Sequence, residues 1–154
     1  MLPKMYDVQP ALSPSDIDGL EKRMKIRLPK EYRAWLLKYN GGQPVPGNFS
    51  LGLGGNSEGV AWFFAIHEGE FNNFELEYKF WKIMTKRVPG DLVPVATDGS
   101  GNLICLSFGS ADEGKVYFWD HERETDPPSY ANCQVVAESF NDFVNMLGDG
   151  SRSS

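Results

Sequence analysis

Residues 92–122, LVPVATDGSGNLICLSFGSADEGKVYFWDHE, decide how the rest of the chain is read. Three apolar segments, Leu92–Thr97, Leu103–Phe108 and Lys115–Trp119, have the length and the β-branched or aromatic content of strands. Turn-rich gaps at Asp98–Asn102 and Gly109–Gly114 separate them. The stretch reads as an antiparallel β-meander and as the centre of the fold.

Downstream, Asp120–Ser129 is polar, acidic and proline-containing, which predicts a loop. Val135-Val136 then closes the sheet. Ser139 caps a terminal helix whose apolar positions Phe140, Phe143, Val144 and Leu147 form one stripe. Gly148-Asp149-Gly150 ends it, and Ser151–Ser154 is expected to be a disordered tail.

Upstream, Phe71, Phe74, Tyr78, Trp81 and Met84 recur at helical spacing, an aromatic stripe expected in the core, and Pro89-Gly90 ends that helix. Val60–Ile66 is a continuous aromatic and β-branched run, expected to be a strand buried on both faces. Gln43–Gly59 is loop-like, with a short strand marked by Phe49, Leu51 and Leu53. At the start, Ser13-Pro14-Ser15-Asp16 opens a helix carrying Ile17, Leu20 and Met24 on one face. It ends before Leu28-Pro29, because proline disfavours helical geometry in the residue before it. A second helix opens at Pro29, buries Tyr32, Trp35, Leu36 and Tyr39, and stops at Asn40-Gly41-Gly42. The expectation is a single α+β domain over residues 1–150. A central, mainly antiparallel twisted sheet of about five to six strands packs there with N-terminal, middle and C-terminal helices.

The totals limit what such a domain does. No apolar run approaches the ~18 residues of a membrane span, and Met1–Pro10 lacks the pattern of a signal peptide. Cys105 and Cys133 are far apart and form no CxxC, so they read as buried free thiols in a reducing cytoplasm. Charge is uneven within the net −6. Residues 1–40 hold eight Lys/Arg against five Asp/Glu, whereas residues 88–149 hold two against eleven, a net −9. Such a segment repels phosphate backbones, which argues against nucleic acid as its partner. A basic protein would be attracted and steered.

Catalytic or metal chemistry finds little footing. His67 and His121, with Glu68, Asp120 and Glu122, are the candidate metal ligands, but sequence neighbours on a strand point to opposite faces. A structural zinc site would need four Cys/His at close spacings, and none exist. A Cys–His nucleophile needs an electropositive setting, yet Cys105 lies in an acidic and apolar one. Gly52–Asn56 lacks the Gly-Lys-Ser/Thr ending of a phosphate loop. Asp98–Asn102 resembles part of a calcium loop, yet no Glu follows where that loop requires one, and a tight hairpin explains it better. No catalytic residue, cofactor or metal is expected.

Three stretches together resemble the SUKH superfamily, which contains the fungal Smi/Knr-type cell-wall regulators and many bacterial immunity proteins. They are Leu28–Leu37 ending in Asn40-Gly41-Gly42; Val93–Ala96 with Asp98 and Gly101–Leu106; and Val116–Glu122 followed by Ser139-Phe140. Their order matches the family over about residues 13–147. The resemblance implies a non-enzymatic α+β protein-binding domain, an immunity protein that neutralises a cognate polymorphic or contact-dependent toxin, often a nuclease, by binding and occlusion. A regulatory scaffold like the fungal relatives is the alternative, and a small hydrolase a third reading. It transfers no catalytic residues. The charge pattern adds one expectation: Asp112, Glu113, Asp120, Glu122, Glu124 and Asp126 form part of a face that meets a basic toxin. Trp62 or Trp119, if exposed, would serve as aromatic anchors.

Overall fold

The computed structural model describes residues 1–51 and 57–148. Its elements are β1 (Lys4–Tyr6), α1 (Pro14–Met24), α2 (Lys30–Lys38), β2 (Gln43–Val45), β3 (Asn48–Ser50), β4 (Ser57–Gly59), β5 (Trp62–Phe63), α3 (Phe74–Tyr78), β6 (Leu92–Thr97), β7 (Leu103–Ser107), β8 (Val116–Trp119), β9 (Cys133–Ala137) and α4 (Phe140–Gly148). Strands β5 to β9 form one antiparallel sheet in chain order, while β1–β2 and β3–β4 are two smaller antiparallel pairs. The class is α+β, as the sequence predicts.

The meander fixes the register of the whole. Leu103 lies opposite both Thr97 and Trp119, and Leu106 opposite both Val93 and Val116. One irregularity falls between Pro94 and Ala96, beside a residue that has no N–H for the ladder. Alternate residues of β8 then reach opposite layers. Phe118 meets Phe49 at 6.2 Å, and Phe49 meets Phe143 of α4 at 5.4 Å. Phe140 of α4 in turn touches Tyr32 and Trp35 of α2 at 5.3 and 5.8 Å. On the other face Trp119 packs edge-on against Trp81, 5.2 Å away, from the segment that follows α3. Terminal helices therefore cover one face and the middle helical segment the other.

The first two helices follow their caps. Ser13 accepts from Asp16 N while Asp16 accepts from Ser13 N, a reciprocal box at the start of α1. Glu21 then accepts from Leu28 N at 2.7 Å and from Arg33 Nη1 at 3.0 Å, which fixes the corner between α1 and α2. The Asn40-Gly41-Gly42 stop is a joint rather than a simple turn. Buried Asn40 donates through Nδ2 to Pro10 O and Ile66 O and accepts from Ile66 N, all within 2.9 Å. Gly41 sits at φ 74, and a Cβ there would lie 2.5 Å from that of Ala65.

Several expectations are corrected. The Val60–Ile66 run pairs as a strand only at Trp62-Phe63, because its neighbours change along its length. Phe63 N donates to Gly42 O, Phe64 N to Val95 O and Ala65 N to Asn72 O. The β1–β2 pair leaves no mark in the sequence, because three-residue strands carry no period. Phe71 does not belong to the middle helix, which starts at Phe74 after Asn73 caps Leu76 N. Phe71 is 84% exposed, and Met84 is 74% exposed. Met84 turns outward because Lys79–Met84 is wound as a π-helix, closed by an i→i+5 bond from Thr85 N to Phe80 O, so the i+3/i+4 stripe loses register. Trp119 is wholly buried and cannot anchor a partner. Cys133 is half-buried rather than buried. The Gly52–Asn56 run, Leu53 with it, and the Ser151–Ser154 tail lie outside the described residues.

Candidate functional site

The acidic residues singled out from the sequence sort by what their carboxylates already hold. Asp112 accepts from Ser107 Oγ and from Tyr117 OH at 2.5 and 2.7 Å. Those two donors, Ser107 first, hold its carboxyl below the usual carboxylate range. Asp120 accepts from Glu122 N and caps the short turn His121–Arg123. Glu124 is ion-paired with Arg87, whose guanidinium lies over the rings of Trp81 and Trp119 at 4.6 and 5.7 Å. These three carboxylates brace the loops that carry them. Glu113, Glu122 and Asp126 are exposed and, among the described residues, have no ion-pair partner.

Nor do the six form one cluster. Asp112 and Glu113 sit in the β7–β8 turn, beyond the Leu106–Val116 pair, whereas Asp120 follows Trp119 at the opposite end of the sheet. At that second end the structure adds two acids the sequence did not connect. Glu58 of β4 faces Asp98 and Asp120, and its carboxyl is raised, first by burial and then by those two charges.

The histidines and cysteines serve the fold. His121 Nδ1 lies 2.6 Å from Asn102 Oδ1 and ties β8 to the Asp98–Asn102 hairpin. Among the described residues no group of three or more His, Cys, Asp and Glu side chains is arranged to hold a metal. Burial pushes the Cys105 thiol well up and that of Cys133 up to about 11, so neither carries much thiolate near neutrality.

A different region offers accessible geometry. A broad open cleft of about 1330 Å³ lies between the N-terminal arm around Asp7–Leu12, the β5 strand and the chain that follows it. Trp62, Phe63 and Ile66 line it, and Asp7, Asp16, Glu68 and Glu70 stand around it. Trp62 is partly exposed there, unlike Trp119. One wall is the loop His67–Asn73, which is internally bonded. Gly69 N donates to His67 Nδ1 at 3.1 Å, so the imidazole proton sits on Nε2 and is donated to Phe71 O at 2.8 Å. Buried Asn73 donates to His67 O and Gly69 O, at 2.8 and 2.9 Å, while its oxygen caps α3. With these bonds made by neutral groups, Glu68, Glu70 and Phe71 are left facing outward. Sequence reasoning assigned Phe71 to the helical stripe. The contrary signal was its position between Gly69 and Asn72-Asn73, residues suited to turns.

Comparison with known proteins now adds to this geometry. The model of the SMI1 / KNR4 family (SUKH-1) matches residues 11–146. The chain belongs to this family. One SUKH-1 relative, the SPbeta prophage-derived uncharacterized protein YokK of Bacillus subtilis (strain 168), is 26% identical over 147 residues, covering 84% of this chain and 71% of the relative. The motifs by which this SUKH-1 domain resembles its family are structural joints. Asn40-Gly41-Gly42 locks the N-terminal arm to the chain after β5, and Asp98 with Asn102 builds the hairpin that receives His121. Among the described residues no helix is long and apolar enough to cross a membrane.

Proposed function

We propose that this SUKH-1 domain is a non-enzymatic binding protein with the role of an immunity protein. It neutralises a cognate protein toxin in the cytoplasm by direct binding and occlusion. The observation that carries this reading is the surface charge: Asp7, Glu68, Glu70, Glu113, Glu122 and Asp126 are exposed and have no ion-pair partner among the described residues. Unpaired carboxylates spread over a domain whose residues 88–149 carry a net −9 suit a basic partner, such as a toxin with a cleft for nucleic acid. In this reading Glu113, Glu122 and Asp126 steer the encounter, and Asp112, Asp120 and Glu124 hold the loops that present them. Family membership and a prophage-derived relative support the class of role.

Co-expression with the product of the gene directly upstream tests the proposal. The expected result is restored growth in cells that this product otherwise arrests, together with a stable complex of the two purified proteins. Charge reversal at Glu113, Glu122 and Asp126 should slow association about tenfold at low salt and flatten its salt dependence. No complex, or an unchanged association rate and salt dependence, would defeat the reading.

A further inference from the structure

The cleft beside the His67–Asn73 loop combines three properties that the rest of the surface does not explain. Its wall displays Phe71 at 84% exposure, on a loop whose internal bonds involve the Phe71 carbonyl but not its ring. An aromatic ring held in water by a braced loop adds nothing to the core. The backbone that carries it is, however, already fixed, and a fixed backbone avoids part of the entropy lost on binding. Its lining also includes the partly exposed Trp62, a second ring open to a ligand.

Charge says which ligand. Asp7, Glu68 and Glu70 border the cleft without an ion-pair partner among the described residues, and Asp16 is occupied only by the α1 capping box. The arginine that lines the cleft, Arg23, is already held by Glu75 through two nitrogens at 3.2 and 2.8 Å. Lys79 shares the same carboxylate at 3.2 Å, so that group of charges is internally satisfied. What is left is negative, next to two π faces. A phosphate-bearing ligand would be repelled, while guanidinium or ammonium groups would find both carboxylates and rings.

We infer that this cleft is the anchoring site for an arginine- or lysine-bearing segment of a protein partner. Phe71 and Trp62 provide its aromatic contacts, and Asp7, Glu68 and Glu70 its charge partners. The inference rests on the reading of the protein as a binding module and assigns the anchor to residues other than the steering acids, none of which lines the cleft. His67 shapes the loop: its imidazole bridges Gly69 N and the Phe71 carbonyl and so fixes the backbone that carries the ring.

Titration of the isotope-labelled full chain with a hexa-arginine peptide, using hexa-glutamate as control, tests the site directly. Amide shifts should concentrate at Gly69–Asn73 and at the Trp62 indole N–H, with no response to hexa-glutamate. Phe71→Ala should weaken peptide binding about fivefold, and Glu68→Gln with Glu70→Gln about tenfold with a shallower salt dependence. The amide spectrum shows whether each variant is folded, and Phe71→Tyr, which keeps the ring, should bind like the parent. Shifts confined to Glu113, Glu122 and Asp126, or spread over all acids alike, would overturn the site. So would concentration-dependent shifts at Gly69–Asn73 without peptide, which would make a second copy the occupant. If Phe71→Ala still protects cells as well as the parent while the toxin complex forms, the site is wrong and the immunity reading stands. If no complex forms with any variant, the immunity reading itself falls.

Discussion

Two acidic loops, Asp98–Asn102 and His67–Asn73, look alike in sequence, each mixing carboxylate, glycine and asparagine, yet they use their charges in opposite ways. In the first, Asp98 accepts from Ser100 N, Ser100 Oγ, Asn102 N and Asn102 Nδ2, all within 3.0 Å. The carboxylate is the organiser of its own turn. In the second, neutral His67 and Asn73 do the organising, and Glu68 and Glu70 take no part. A charged side chain in a turn is available to a partner only when some other group holds the turn together. Ligand-like composition therefore says little until the hydrogen bonds are assigned.

The harshest way to break the comparison is to remove the organiser of the outward-facing loop. Asn73→Ala deletes three hydrogen bonds at a site only 6% exposed and leaves Leu76 N, His67 O and Gly69 O without partners. The expected loss is about 2–4 kcal/mol in denaturant unfolding. Hydrogen exchange should accelerate at Gly69 and Leu76 before it does so in the meander. An unchanged midpoint would mean that the loop holds its shape by other means.

A milder test acts on a carboxylate that faces inward. Ser107 and Tyr117 stabilise the ionised form of Asp112, so its folded pKa lies below the ordinary carboxylate value of about 3.9. A depressed carboxylate stabilises the fold at every pH above its unfolded pKa, and that contribution fades as pH falls through the folded one. Asp112→Asn should therefore cost about 1–2 kcal/mol at pH 7. The gap between variant and parent should narrow as pH falls below the ordinary carboxylate value of about 3.9 and close below the depressed folded pKa. A gap that stayed constant across the acid range would show that Asp112 acts by shape rather than by charge.

Much of the scaffold was legible because it rests on local patterns. The meander, the Ser13 cap and the Phe140–Leu147 stripe need only neighbouring residues to be recognised, and each was found within a residue or two of its expected place. The candidate site was much less legible, for physical reasons. β1 and β2 meet across some forty residues and are too short to show alternation. Phe71 fits a helical period by spacing alone, and only the positive φ of Asn72 and the Asn73 cap remove it from the helix. The ties of Asp112, Asp120 and Glu124 also escape the sequence, because Glu124 meets Arg87 only after the chain has folded across the sheet. Composition reports how many acids there are; long-range pairing decides which remain free.

The smallest stability effect is the most discriminating. Glu68→Gln combined with Glu70→Gln removes two exposed carboxylates that accept no hydrogen bond and have no ion-pair partner among the described residues. Unfolding free energy should change by less than about 0.5 kcal/mol. Asp98→Asn is the control: it removes one charge where the double variant removes two, but it puts an NH₂ where the turn needs an oxygen acceptor. At least one of the two donors on that oxygen then loses its bond, and the cost should reach about 1–2 kcal/mol. Measured side by side at one salt concentration, the pair separates charge as such from charge in use. Equal losses in the two would mean that Glu68 and Glu70 are part of the fold, and the contrast between the loops would fail. A loss at Asp98 alone leaves Glu68 and Glu70 with no structural task and so free for the binding role proposed for them.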